Sequence, residues 1–156
     1  MEELAEKEKG IALAPFEKRK AAVLQMLEEN EYIRNLELSI TELDDSHAVG
    51  RIPYRENLLN PYHTVHGGCL YALADIVTGT LANLQGYYTN TVNGSMNYLE
   101  PAWKTQYVTC YATLVRCGRN LVTVHCELKA DDGKILDEGS FTFFRTGNAL
   151  TKEEQE

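Results

Sequence analysis

Polar and apolar residues alternate most plainly over residues 120–130. Val122, Val124, Cys126 and Leu128 take one parity; Thr123, His125, Glu127 and Lys129 take the other. A period of two predicts a strand with one buried face. Similar segments fall at residues 89–99, 106–117 and 135–145, and Gly118 and Asp131-Asp132-Gly133 are the hairpin turns between them. Near the N-terminal end, Leu36, Leu38 and Ile40 alternate with Glu37, Ser39 and Thr41, which predicts a further strand. Asp44-Asp45-Ser46 turns the chain into a return strand at residues 47–54, and Glu56-Asn57 opens an irregular loop through Asn60-Pro61.

Two segments carry helical spacing instead. Pro15, a good first-turn residue, precedes EKRKAAVLQMLEEN, with Val23, Leu24, Met26 and Leu27 as its apolar positions. That pattern predicts an appended surface helix. His66-Gly67-Gly68 leads into CLYALADIVTGTLANLQG, where Leu70, Leu73, Ile76, Val77 and Leu81 recur at helical spacing and Gly86 is a fair stop. This second helix is apolar nearly all round, which predicts a buried central helix. The core order β-β-α-β-β-β-β with short links predicts an α+β fold: an antiparallel sheet with one face covered by a single helix.

The chain has 156 residues, enough for one domain, and composition matches an ordinary globular protein, with 44% hydrophobic and 24% charged residues. The net charge is −8. That argues against a nucleic-acid footprint, which needs a basic surface. The ends, residues 1–10 and 151–156, are acidic and read as solvated tails. Residues 69–84 are the most apolar stretch but contain Asp75, Thr78, Gly79 and Asn83, too polar and short for a membrane span. The N-terminus lacks a signal-peptide h-region. The four cysteines, at 69, 110, 117 and 126, form no C-x-x-C pair. They read as reduced thiols in a cytoplasmic protein.

Residues 57–99 number 43 and hold one formally charged side chain, Asp75. An average composition would place about ten there. An unpaired carboxylate on the most apolar element would cost several kcal/mol, so Asp75 either satisfies a structural partner or acts as a catalytic base or nucleophile. His66-Gly67-Gly68 is either a flexible turn or a place where a ligand meets the free N–H groups of a helix terminus, fit for an oxyanion. Gly68 and Asp75 share a helix face but stand about 10 Å apart along the axis. One carbonyl cannot easily touch both. Packing of the helix against its copy in a two-fold dimer would bring Gly68 of one chain opposite Asp75 of the other.

These residues resemble the hotdog-fold thioesterases, in particular their PaaI-like branch. The matching core is Asn60-x5-His66-Gly67-Gly68-x6-Asp75. NYLEPA at residues 97–102, Gly118-Arg119 and Asp132-Gly133 are similar to downstream landmarks, so the resemblance spans residues 36–146. It implies a curved antiparallel sheet wrapped around one long helix, here with an extra N-terminal helix. The domains it implies are a tail and helix at 1–34, a hotdog domain at 35–147 and an acidic tail at 148–156. The implied activity is hydrolysis of an acyl-CoA to free acid and CoA.

By position, the resemblance gives Asp75 the role of nucleophile or base for water. The backbone N–H of Gly67 or Gly68 polarises the thioester carbonyl. Asn60 places the carboxylate or the water, and His66 fixes the loop. Thr91 stands where relatives carry a hydroxyl that orients water. Many relatives have Gly where this chain has His63, so His63 puts a titratable group near the mouth. Tyr98, with Trp103 and Tyr107, is a candidate acyl-pocket wall or plain core. Arg116 and Arg119 flank a turn and are candidates for the CoA phosphates. His63-x2-His66 with Asp75 lacks a further ligand, so no metal is expected. No separate cofactor is implied, since CoA is part of the substrate. The expected partners are the acyl-CoA and a second copy, as a homodimer or dimer of dimers, with no nucleic acid and no membrane. Two other readings share the fold: an acyl-CoA-binding module without turnover, and a dehydratase or hydratase using His63 and His66.

Overall fold

The computed structural model describes residues 13–151; the acidic N-terminal stretch and residues 152–156 lie outside them. Helix α1 (Phe16–Glu29) and a short helix α2 (Glu31–Asn35) precede strands β1 (Ser39–Leu43) and β2 (His47–Pro53). A single 3-10 turn, Glu56–Leu58, interrupts the loop to the long helix α3 (Gly67–Leu84). Strands β3 (Tyr87–Tyr98), β4 (Tyr107–Cys117), β5 (Leu121–Ala130) and β6 (Ile135–Ala149) follow. They form one six-stranded sheet in the order β1-β2-β4-β5-β6-β3, with every pair antiparallel.

The sheet curves around α3. Leu70, Leu73, Val77 and Leu81 of the helix are buried against Ile52, Val108, Val124, Leu128 and Phe141 of the strands. Alternation is what makes this possible: Val122, Val124, Cys126 and Leu128, all of one parity on β5, are all buried. The expected α+β hotdog architecture is the one found, with one helix on one face of an antiparallel sheet.

One local expectation is corrected. The strand expected from Leu36 begins only at Ser39. The side chain of Asn30 accepts the Ile33 N–H and starts α2, and Glu37 at φ 50° then turns the chain before it extends. Leu36 is nonetheless buried, from the end of a helix rather than from a strand. Helix α1 is the surface helix expected, anchored at one point. Its Val23 is buried in the core, and the helix lies against α3.

Strand β3 lies at the edge of the sheet. It pairs with β6 on one side, and among the described residues no strand covers its other side along 12 residues. A long open edge is a template for pairing with another chain.

Candidate functional site

Asp75 sits half-buried midway along α3. The Oγ1 of Thr91 on β3 donates to its Oδ1 at 2.8 Å. The carboxylate faces a cavity of about 210 Å³. Met26 and Leu27 of α1, Ile33 of α2, Ile76 of α3 and Phe143 of β6 supply apolar walls, beside the polar Asn30, Thr80, Asn83 and Thr89. Asp75 therefore has a structural partner in Thr91 and borders a cavity.

The helix N-terminus is built by His66. Its Nδ1 accepts the N–H of Gly68 at 2.9 Å, and its carbonyl accepts from Cys69 and Leu70. This is an N-cap made by an imidazole, and it requires the ring proton to sit on Nε2. Gly68 is thereby spent. No partner stands opposite the N–H of Gly67 among the described residues, so Gly67 is the open donor at the positive pole of the helix. Tyr98 lays its ring over Gly67 and donates its hydroxyl to the Gly67 carbonyl at 3.0 Å.

Asn60 holds the loop that leads into the helix. Its Oδ1 accepts from the N–H groups of Tyr62 and Thr64, and its Nδ2 donates to Thr64 Oγ1 at 2.7 Å. One amide proton remains for a ligand. His63 takes φ 62°, the left-handed region that favours glycine. The turn persists because Tyr54 donates to the His63 carbonyl at 2.6 Å. The His63 ring itself is exposed.

Gly67, Asn60 and Tyr98 border a second cavity, of about 320 Å³, with Val65, Leu70 and Asp137. It shares no lining residue with the cavity at Asp75. Within one chain, the carboxylate and the open N–H thus serve separate spaces. Sequence reasoning missed Asp137. This residue is fully buried, neither carboxyl oxygen has a hydrogen-bond partner, and burial pushes its acid up to about 7. The signal was available: counting back in twos from Phe143 and Phe141, both buried on β6, reaches Gly139 and then Asp137.

The remaining candidates lie elsewhere. Arg116 and Arg119 are exposed at the β4–β5 turn. That turn is tied to β6 by Arg145, which donates to the Gly118 carbonyl at 2.9 Å and stands in register with Thr89. The two arginines therefore lie toward the Asp75 end of β3 and far from Tyr98. Trp103 is exposed beneath Lys104, and Tyr107 stacks on Arg51, so neither lines a cavity beside Gly67 or Asp75. Among the described residues, no three His, Cys, Asp or Glu side chains are grouped to hold a metal ion. No helix among them is long and apolar enough to cross a membrane.

Comparison with known proteins agrees with this architecture. The family profile described as the thioesterase superfamily matches residues 62–136. A relative from Saccharolobus solfataricus whose name describes it as an esterase is 31% identical over 128 residues, covering 75% of this chain and 86% of its own. The acyl-coenzyme A thioesterase PaaI of Escherichia coli is 23% identical over 128 residues, covering 82% of this chain and 91% of its own. The solved structure of the E. coli PaaI protein superimposes with a TM-score of 0.81 at 21% identity, covering 87% of this chain and 99% of that one. A mutant of the phenylacetic acid degradation protein PaaI from Thermus thermophilus gives 0.71 at 28% identity, covering 75% and 100%.

Proposed function

The chain belongs to the hotdog-fold thioesterase superfamily, in its PaaI-like branch, and from that premise we propose that it hydrolyses an acyl-CoA thioester to the free carboxylic acid and CoA. The observation that carries this reading is the hydrogen bond from Thr91 to Asp75, the one charged side chain in residues 57–99, held at the edge of a cavity.

The working unit in this reading is a two-fold dimer. Tyr98 contacts Gly67 and Thr91 contacts Asp75, and both lie on the open edge strand β3. Antiparallel pairing of two β3 edges about a two-fold axis sets the Tyr98 end of one strand beside the Thr91 end of the other. Gly67 then faces the partner subunit's Asp75. The separate cavities of one chain become the two halves of one site.

In that site the thioester carbonyl oxygen accepts the Gly67 N–H. The partner subunit's Asp75 removes a proton from water, and the oxygen of that water attacks the carbonyl carbon. The tetrahedral oxyanion is held at the helix terminus. Its collapse breaks the C–S bond and releases CoA as thiolate, a leaving group good enough to need no strong acid. Direct attack by the carboxylate, giving a mixed anhydride that water then opens, uses the same placement.

Thiol release from short, medium, long and aromatic acyl-CoAs, comparing wild type with Asp75→Asn, tests the proposal. Turnover lost in the variant with the assembly intact is the expected result, with kcat falling by about 10³. Saturable binding without turnover in the wild type would make the chain a binding module. Loss of water with CoA retained would make it a hydratase.

A further inference from the structure

We propose that Asp137 is a second hydrogen-bond donor to the bound thioester, working beside the Gly67 N–H in the cavity that both residues border. This rests on the hydrolase reading above and adds a residue to it.

Three observations place it. Asp137 and Tyr98 are register partners on β6 and β3, so their side chains lie on the same face of the sheet, and Tyr98 in turn covers Gly67. The carboxyl is completely buried with neither oxygen bonded, whereas buried polar groups in a folded chain are nearly always paired. The cavity walls around it are apolar apart from Asn60, Thr64, Tyr98, Glu100 and the helix terminus. A polar group left unpaired in such a pocket is one that a ligand can satisfy.

Chemistry decides which kind of contact it makes. Burial holds the acid protonated up to about pH 7, so near neutrality the neutral form, which has an O–H to give, is well populated. A carboxylic acid kept neutral by an apolar site can donate to an oxyanion, and such a bond strengthens as charge develops on the carbonyl oxygen. The proton stays on Asp137 throughout, so the hydrolysis still consumes one water and releases one thiol. Above its pKa, Asp137 becomes an acceptor-only anion facing the developing oxyanion, and the contact turns repulsive. The titratable group beside it is Tyr98 on β3, which in turn has Tyr71 of α3 as a neighbour. Nearby charges are already engaged: Glu138 accepts from Asn97, and Glu100 pairs with Lys134 at 3.1 Å.

The test is the pH profile of kcat from 5.5 to 9 for wild type, Asp137→Asn and Asp137→Leu, on the acyl-CoA that wild type turns over fastest. Leu removes the donor and lowers kcat about 100-fold with KM little changed. Asn keeps a donor that does not titrate. It retains kcat within about tenfold and loses the fall in activity that wild type shows as pH rises through about 7. Thermal unfolding and the size of the assembly confirm that each variant is folded. A wild-type kcat in Asp137→Leu, a loss confined to KM, or an unchanged alkaline fall in Asp137→Asn overturns the proposal. Turnover in wild type matched by Asp137→Leu removes only this inference. Absence of turnover in wild type removes the hydrolase reading and this inference with it.

Discussion

Thr91 Oγ1 donates to Asp75 Oδ1 at 2.8 Å, linking the edge strand β3 to the middle of α3. A hydroxyl held on one carboxylate oxygen fixes the rotamer of Asp75 and leaves Oδ2 for water or a carbonyl carbon. Thr91→Val keeps the shape and removes the donor. Hydrogen bonds to charged groups contribute about 1.5–3 kcal/mol, so kcat is expected to fall by roughly 10- to 100-fold. Thr91→Ser restores the hydroxyl and should recover most of the rate. Equal kcat in Thr91→Val and wild type would reduce this bond to a structural tie.

The fold was legible wherever one physical pattern governed a whole element. Strand β5 alternates without interruption because one of its faces is wet and the other packs on α3, and α3 shows as a long apolar run because it is enclosed. The N-terminal region was less legible because local capping competed with alternation. Leu36 and Leu38 fit a strand, yet the Asn30 side chain draws residues 31–35 into a helix first. At the site, Asp75 stood out as a lone charge, but its contact with Thr91 did not: the resemblance gave Thr91 a water to orient, and only the fold brings its hydroxyl onto the carboxylate. Gly67 could not be separated from Gly68 by sequence, since that choice depends on where the His66 ring nitrogen points. The role of α1 was hidden for another reason. Its Met26 and Leu27 read as an ordinary apolar stripe, and only packing against α3 shows that they wall the cavity at Asp75.

The proposed sharing of the site between subunits has a direct consequence. Asp75→Asn removes the carboxylate, and Gly67→Val adds two methyls beyond a Cβ that would already touch the Tyr98 ring at 3.5 Å. Each variant alone is expected to be inactive. Unfolded together and refolded as a mixture, half of the dimers carry one of each, and in those one site holds both defects while the other holds neither. Activity should return to about a quarter of wild type. Two inactive variants that stay inactive on mixing, with mixed dimers demonstrated by a tag on one of them, would place the whole site within one chain.

Asp137 also sets how stability depends on pH. The folded chain keeps this proton up to about 7, whereas an unfolded chain releases it near the ordinary aspartate value of 3.8. Between those limits the folded state binds more protons than the unfolded one, so raising the pH through that window removes stability. Its contribution is least unfavourable below about 4 and reaches its full cost above about 7. Asp137→Asn has no proton to lose and is free of this penalty. The difference in Tm between the variant and wild type is therefore expected to grow in favour of the variant from pH 5 and to level off above about pH 7. Measuring the difference cancels the other carboxylates, which titrate alike in both proteins. A difference that stays constant over that range would mean that Asp137 finds a partner in the working assembly, and the carboxyl would then be a structural group rather than one left open for substrate.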